Sequence, residues 1–330
     1  MKAVYLLSQQ YLNLIYGPDE QRDIAARVEL PVPPLDATSY LAWRGKLNDV
    51  EAIFSGWGMA RMDEAFFEVF PSLRVLFYGA GAISGFVTEA AWARGIQITN
   101  ARVANGVAVA EYTIAQIVLC LKQAWRQAGR VKSMRQFAAA RLPVAGTYGS
   151  TVGIVSLGTI GRMVAKRLRT FDVRVIAYDP YMSSEEASTM NVELVALDEL
   201  FSRADVITCH TPWLPETEGM LHGGLFRRMK PGASFINTAR GAVVNEADLI
   251  AVLRERNDLF AVLDVTYPEP PAPDSPLYDL PNVMLTPHIA GSMGSECRRM
   301  GRAMVEELDR WLRGEPLLYR VDREYARGQA

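Results

Sequence analysis

At 330 residues, 49% hydrophobic and 22% charged, the chain has an ordinary globular composition and is long enough for two domains. A formal net charge of -2 gives no global electrostatic reason to expect nucleic acid or an anionic membrane as partner. Three widely spaced cysteines, Cys120, Cys209 and Cys297, read as free buried thiols in a reducing compartment, with neither a disulfide frame nor a metal site.

The N-terminus, MKAVYLLSQQ, reads as a first strand and lacks the pattern of a signal peptide, so a cytoplasmic protein is expected. Further strands are predicted at Ala52–Ser55, Arg74–Tyr78 and Ile96–Thr99, separated by patterned helices, as in a small flavodoxin-like α/β domain. Val107–Arg126 is apolar nearly all round and should be buried on all sides, between domains and against a second subunit. Asn105, Glu111 and Gln116 in this region argue against a membrane span.

From Thr151 onward strand and helix alternate. Strands are predicted at Thr151–Val155, Val173–Tyr178, Val206–Cys209, Ser234–Asn237, Phe260–Val265 and Val283–Leu285. Helices fall between them, the last opening on Asn245 with Asp248 three residues on, a capping-box-like start. Six such strands describe a doubly wound parallel sheet of Rossmann type. A final amphipathic helix, Ser295–Arg313, sets Met300, Met304, Leu308, Trp311 and Leu312 on one side and should return to the N-terminal domain. The Rossmann domain, 105–290, would then be inserted into a smaller domain made of 1–104 and 291–330.

The most informative stretch is TVGIVSLGTIGRMVAKRLRTFDVRVIAYDP, from Thr151 to Pro180. Small residues at Ser156, Gly158 and Gly161, with Thr159 and Ile160 opening the helix, let a pyrophosphate approach backbone N–H groups. Ser156 stands where a first glycine is usual. Asp179, about 18 residues beyond Gly161, is placed to grip a ribose diol and to favour NAD over NADP.

Three later strand ends carry chemistry. They read Thr238-Ala239-Arg240-Gly241, Thr266-Tyr267-Pro268-Glu269-Pro270 and Thr286-Pro287-His288-Ile289-Ala290-Gly291. An arginine, a carboxylate and one of only three histidines thus reach one rim, where open parallel sheets bind ligands. The motifs NTARGAVVNEADL, LDVTYPEP and LTPHIAGS, with GIVSLGTIG before them, resemble those of the D-isomer-specific 2-hydroxyacid dehydrogenases, a family that includes glyoxylate/hydroxypyruvate reductases.

That resemblance implies NAD(H)-dependent reduction of a small 2-keto acid to the D-2-hydroxy acid. It implies His288 as general acid/base, Glu269 holding its tautomer and favouring its charged form, and Arg240 forked onto the substrate carboxylate and keto oxygen. Asp264 would accept from the nicotinamide amide, and His210, Thr211, Pro212, Thr238, Ala239 and Gly291 would line the cofactor. The amides of Ala80 and Gly81 would hold the carboxylate, with Tyr78 and Trp57 lining the pocket; Ile83-Ser84 replaces an Asp-Asn pair usual in relatives. A homodimer is implied, as is domain closure about hinges near Asn105 and Gly291. The glutamate argues against formate dehydrogenase chemistry, whereas a short phosphoglycerate enzyme and phosphite oxidation stay open. A dinucleotide-sensing scaffold like the family's corepressors is the alternative, disfavoured by the lack of low-complexity tails.

Overall fold

Short runs that are apolar at every position fold here as strands buried on both faces, because helices cover parallel sheets from both sides. The computed structural model describes residues 1–137 and 142–324. The chain divides into two compact units, Met1–Asn105 with Ser292–Ala330, and Gly106–Gly291.

In the first unit β1 (Lys2–Leu6), β2 (Val50–Ser55), β3 (Val75–Tyr78) and β4 (Gln97–Asn100) pair in parallel in that order. Isolated parallel bridges from Lys2 to Glu29 and from Leu6 to Leu35 add a ragged edge on the other side of β1. The resulting order is flavodoxin-like, and its topological switch point lies between β1 and β2. Alternate residues serve opposite faces. Val4, Leu6, Ile53 and Leu76 join one core cluster, which holds the buried phenylalanines of α3 (Glu64–Val69). Ala3, Tyr5, Phe54 and Phe77 join the other, with α1 (Gln9–Ile15) and α12 (Cys297–Leu312).

On α12, Met300, Met304 and Leu308 are buried, but Leu312 is 46% exposed, contrary to expectation. In that terminal turn Trp311 makes the packing contact, beneath the Arg74 guanidinium. The sequence gives no sign of β12 (Arg320–Val321), which adds antiparallel to β4. Glu307, 1% exposed, secures it by accepting from the N–H groups of Leu318 and Tyr319 and from Thr99 Oγ1.

The second unit begins within α5 (Arg102–Leu121), followed by α6 (Ala124–Met134). Its sheet holds β5 (Thr151–Val155), β6 (Arg174–Tyr178), β7 (Glu193–Leu194), β8 (Val206–Cys209), β9 (Ser234–Asn237), β10 (Phe260–Leu263) and β11 (Val283–Leu285). All pair in parallel, in the order β11-β10-β9-β8-β5-β6-β7, so the switch point lies between β5 and β8. The seventh strand, β7, is two residues long and too short to show a pattern. Val152, Ile154, Val206, Ile236 and Val262 face one core with α5 and α7 (Thr159–Leu168). Cys209, Phe235, Ala261 and Leu263 face the other, with α9 (Leu197–Arg203), α10 (Gly223–Arg227) and α11 (Glu246–Glu255). All three cysteines are free and buried.

Two local expectations are corrected. The long apolar helix ends at Leu121, because Gln123 adopts φ 48 and restarts the chain as α6. Within the single chain Glu111 and Ala115 of this helix are exposed, and Val107, Ile114, Val118 and Leu119 are half-buried. The capping box of α11 is half formed. Asn245 caps the Asp248 N–H, but the Asp248 carboxylate turns to the Gly223 N–H instead of closing the box.

Candidate active site

The dinucleotide turn leaves β5 at Ser156, whose φ of 74 is the left-handed conformation usually given to glycine. Its hydroxyl is hydrogen-bonded to Thr211 Oγ1 at 2.8 Å, joining the loops that leave β5 and β8 at the switch point. Gly158 is the N-cap of α7 and offers no side-chain cap, so the first-turn N–H groups stay available to an anion. The turn itself tests whether a pyrophosphate fits. A Cβ added at Gly158 would meet no protein atom within 4 Å, so the space above the helix start is open. A Cβ at Gly161 would lie 2.1 Å from the Ser156 carbonyl oxygen, so only glycine lets α7 begin this close to the strand. Among the described residues the turn therefore fits the group that its sequence implies.

Asp179 follows β6, whose register sets Tyr178 beside Val155. Its Oδ2 accepts the Leu157 N–H at 2.7 Å and its Oδ1 accepts the Tyr181 N–H at 2.9 Å. The carboxylate is thus fixed against the turn, with acceptor capacity left on both oxygens. His210 leaves β8 with Nε2 3.1 Å from Thr208 Oγ1, and its Nδ1 is buried without a partner among the described residues. Burial pushes this imidazole down to about 3, so it is neutral at physiological pH. Pro212 accepts from Thr217 through its carbonyl, which closes the loop. His222 caps α10 by accepting from the Gly224 N–H.

The arginine strand end is shaped by Asn237, Thr238 and Gly241. Asn237 accepts from the Ala239 N–H and donates to the Arg240 carbonyl, folding the Thr238–Arg240 turn back on β9. Thr238 is hydrogen-bonded to Thr113 of α5. A Cβ on Gly241 would lie 2.0 Å from the Thr266 backbone, so this glycine lets the arginine loop touch the glutamate loop. Arg240 donates to the Ala239 carbonyl at 2.7 Å. Its burial lowers the guanidinium pKa, an effect that the Glu269 charge opposes. A polar residue closing an apolar strand and a glycine directly after the arginine were the available signals.

The centre of the site is a 2.6 Å contact between His288 Nδ1 and Glu269 Oε1, with side chains 48% and 42% exposed. This leaves Nε2 as the ring atom open to another partner. His288 is held at φ 54, a strained setting for a side-chain-bearing residue. Its N–H donates to the Asp264 and Thr286 carbonyls. The Asp264 carboxylate, in a residue 2% exposed, accepts from the N–H groups of Ile289 and Ala290 and from Thr286 Oγ1, itself linked to Tyr112. Asp264 therefore clamps the loop that carries His288, a task that its sequence context did not announce. Gly291 ends this loop, half-buried. A cavity of about 410 Å³ adjoins the pair, lined by Thr266, Pro270, Pro271, Tyr278 and Leu285 among others.

In the first unit two expectations change. The Ala80 N–H already donates to the Tyr78 carbonyl, because the chain turns sharply at the end of β3, leaving the Gly81 N–H as the candidate for a carboxylate. Tyr78 is a core residue, 5% exposed and packed on Phe86, and burial pushes its phenol up to about 12. Trp57 is half-buried, edge-on to Tyr11.

Residues 114–290 match the D-isomer specific 2-hydroxyacid dehydrogenase, NAD binding domain. The D-3-phosphoglycerate dehydrogenase of Mycobacterium tuberculosis (strain ATCC 25618 / H37Rv) is 35% identical over 93% of this chain and 54% of its own length. That of Archaeoglobus fulgidus is 34% identical over 78% of this chain and 49% of its own, so the chain spans about half the length of these curated relatives. Among solved structures, apo D-mandelate dehydrogenase of Rhodotorula graminis has TM-score 0.82 at 25% identity, covering 98% of each chain. The TT0316 protein of Thermus thermophilus has TM-score 0.74 at 29% identity, covering 98% of this chain and 100% of its own. The family match over more than half of the chain and the identity to relatives over most of it make this chain a member of the D-isomer-specific 2-hydroxyacid dehydrogenase family.

Proposed function

We propose that the protein interconverts a 2-keto acid and its D-2-hydroxy acid with NAD(H), using His288 as general acid/base. The observation that carries this reading is the His288–Glu269 contact at 2.6 Å on adjoining strand ends. When bound, the nicotinamide supplies or accepts the hydride. In reduction, His288 donates a proton from Nε2 to the keto oxygen as negative charge develops there, and takes it back in oxidation. Glu269 fixes the ring's orientation and tautomer through Nδ1. Arg240 presents a planar fork that matches the carboxylate and the keto oxygen together. These three groups require only a carboxylate beside a carbonyl, as in glyoxylate or hydroxypyruvate.

The α7 turn would take the pyrophosphate and Asp179 the ribose diol, where its charge would repel the additional phosphate of NADP. Three buried free thiols support a cytoplasmic setting. The half-buried apolar stretch of α5, with Ile114, Val118 and Leu119, supports a homodimer. Loss of NADH absorbance with a panel of keto acids tests the activity: turnover of any supports it, and none with the whole panel refutes it. Preference for NADPH would overturn the Asp179 assignment, and a monomer's volume in gel filtration would overturn the dimer.

A further inference from the structure

We propose that Tyr112 and Thr113, adjacent on α5, are positioning residues that hold the His288 and Arg240 loops at the separation the reaction needs. The proposal rests on the dehydrogenase reading above and adds to it two side chains that act through others. Consecutive helix positions point about 100° apart, so one helix can reach two different loops. Tyr112 reaches Thr286, which follows β11, and Thr113 reaches Thr238, which follows β9. His288 lies two residues beyond Thr286, and Arg240 two residues beyond Thr238.

The body of α5 is anchored to the strands themselves. Ala110, Ile117 and Cys120 are buried in the core cluster that holds Ile236 of β9 and Val262 of β10, with Met284 of β11 packed against it. Close packing makes the helix a rigid frame for these strands, and the two hydroxyl contacts extend that frame to the loops.

Thr286 Oγ1 has one proton, which goes to Asp264 Oδ1 at 2.6 Å, so the Tyr112 phenol donates in the 3.1 Å contact between them. Burial raises the phenol above its ordinary pKa, so it keeps that proton at physiological pH. Asp264 in turn accepts from the Ile289 and Ala290 N–H groups, which completes a chain from α5 to the backbone that bears His288. Thr113 is fully buried and Thr238 is 6% exposed, with their hydroxyl oxygens 3.2 Å apart. A buried hydroxyl deprived of its partner costs free energy, so the pair fixes Thr238 and with it the turn into Arg240.

The test is steady-state NADH consumption by the full chain with the best keto acid of the panel, with NADH binding measured separately by fluorescence. Tyr112→Phe should lower kcat about three- to tenfold, the worth of one hydrogen bond, and leave keto-acid KM and NADH affinity within about twofold. Thr113→Val should raise keto-acid KM by a similar factor through Arg240, and Thr113→Ser, which keeps the hydroxyl, should leave it near the wild-type value. If Thr113→Val does not fold, Thr113→Ala takes its place. Added to His288→Gln, Tyr112→Phe should change kcat/KM by less than about twofold, whereas the Thr113 variant should still cost its full factor. Loss of kcat and NADH affinity together in both variants, or a Thr113→Ser as impaired as Thr113→Val, would show packing alone and overturn the proposal. Unchanged kinetics in both variants overturns it as well and leaves the dehydrogenase reading standing. No turnover by the wild type with any keto acid overturns both.

Discussion

Removing the charge of Glu269 while keeping its shape, as Glu269→Gln, probes the central contact directly. Two unit charges about 4 Å apart interact by roughly 4 kcal/mol at an effective dielectric of about 20. Side chains 48% and 42% exposed are substantially screened, which reduces this to about 1–2 kcal/mol. The expected loss in kcat/KM for keto-acid reduction is therefore roughly 5- to 30-fold. His288→Gln, which removes the proton donor, should cost about 10²- to 10⁴-fold. The informative measurement is the double variant, assayed by NADH absorbance at saturating NADH. If Glu269 acts through His288, the double variant should be no slower than His288→Gln, within about twofold. Losses that multiply would show the glutamate acting independently of the histidine, and the reasoning would fail.

Other expectations follow from single contacts. Gly161→Ala places a Cβ 2.1 Å from the Ser156 carbonyl oxygen, so NAD binding by calorimetry should be lost and Tm should fall; a variant binding NAD normally would refute the close approach. Asp264→Asn turns an amide donor toward the N–H groups of Ile289 and Ala290 or the Thr286 hydroxyl. It should cost about 2–4 kcal/mol in urea unfolding, and an unchanged midpoint would contradict the clamp. His210, pushed down to about 3 from its ordinary 6.5, takes its proton first in the unfolded chain as pH falls. Its contribution to stability is complete above pH 6.5 and declines toward pH 3. The urea midpoint of the apo protein should therefore fall with acid less steeply in His210→Phe than in the wild type; parallel falls would remove the argument.

Amino-acid order alone determined what depends on neighbours in the chain. Continuous apolar runs such as Val152–Val155 and Val206–Cys209 could be read as doubly buried strands, because both faces of a parallel sheet demand apolar side chains. The Gly158–Gly161 turn, with Asp179 after the next strand, was legible because close backbone approach needs small residues at fixed spacing. The Arg240, Glu269 and His288 strand ends were legible because parallel strands place their carboxyl ends on one rim. Tertiary structure decided everything that depends on partners distant along the chain. Two-residue strands such as β7 and β12 have no period of their own and exist only because a neighbour offers an edge. The turning of Asp248 to Gly223 depends on a partner 25 residues away, while the break at Gln123 and the spending of the Ala80 N–H on Tyr78 are backbone turns that the residue types there do not announce. Asp264 shows the division most plainly: its place at a strand end marked it as functional. Only the folded loop showed its carboxylate gripping the backbone that bears His288, because a buried charge takes the donors that packing brings to it.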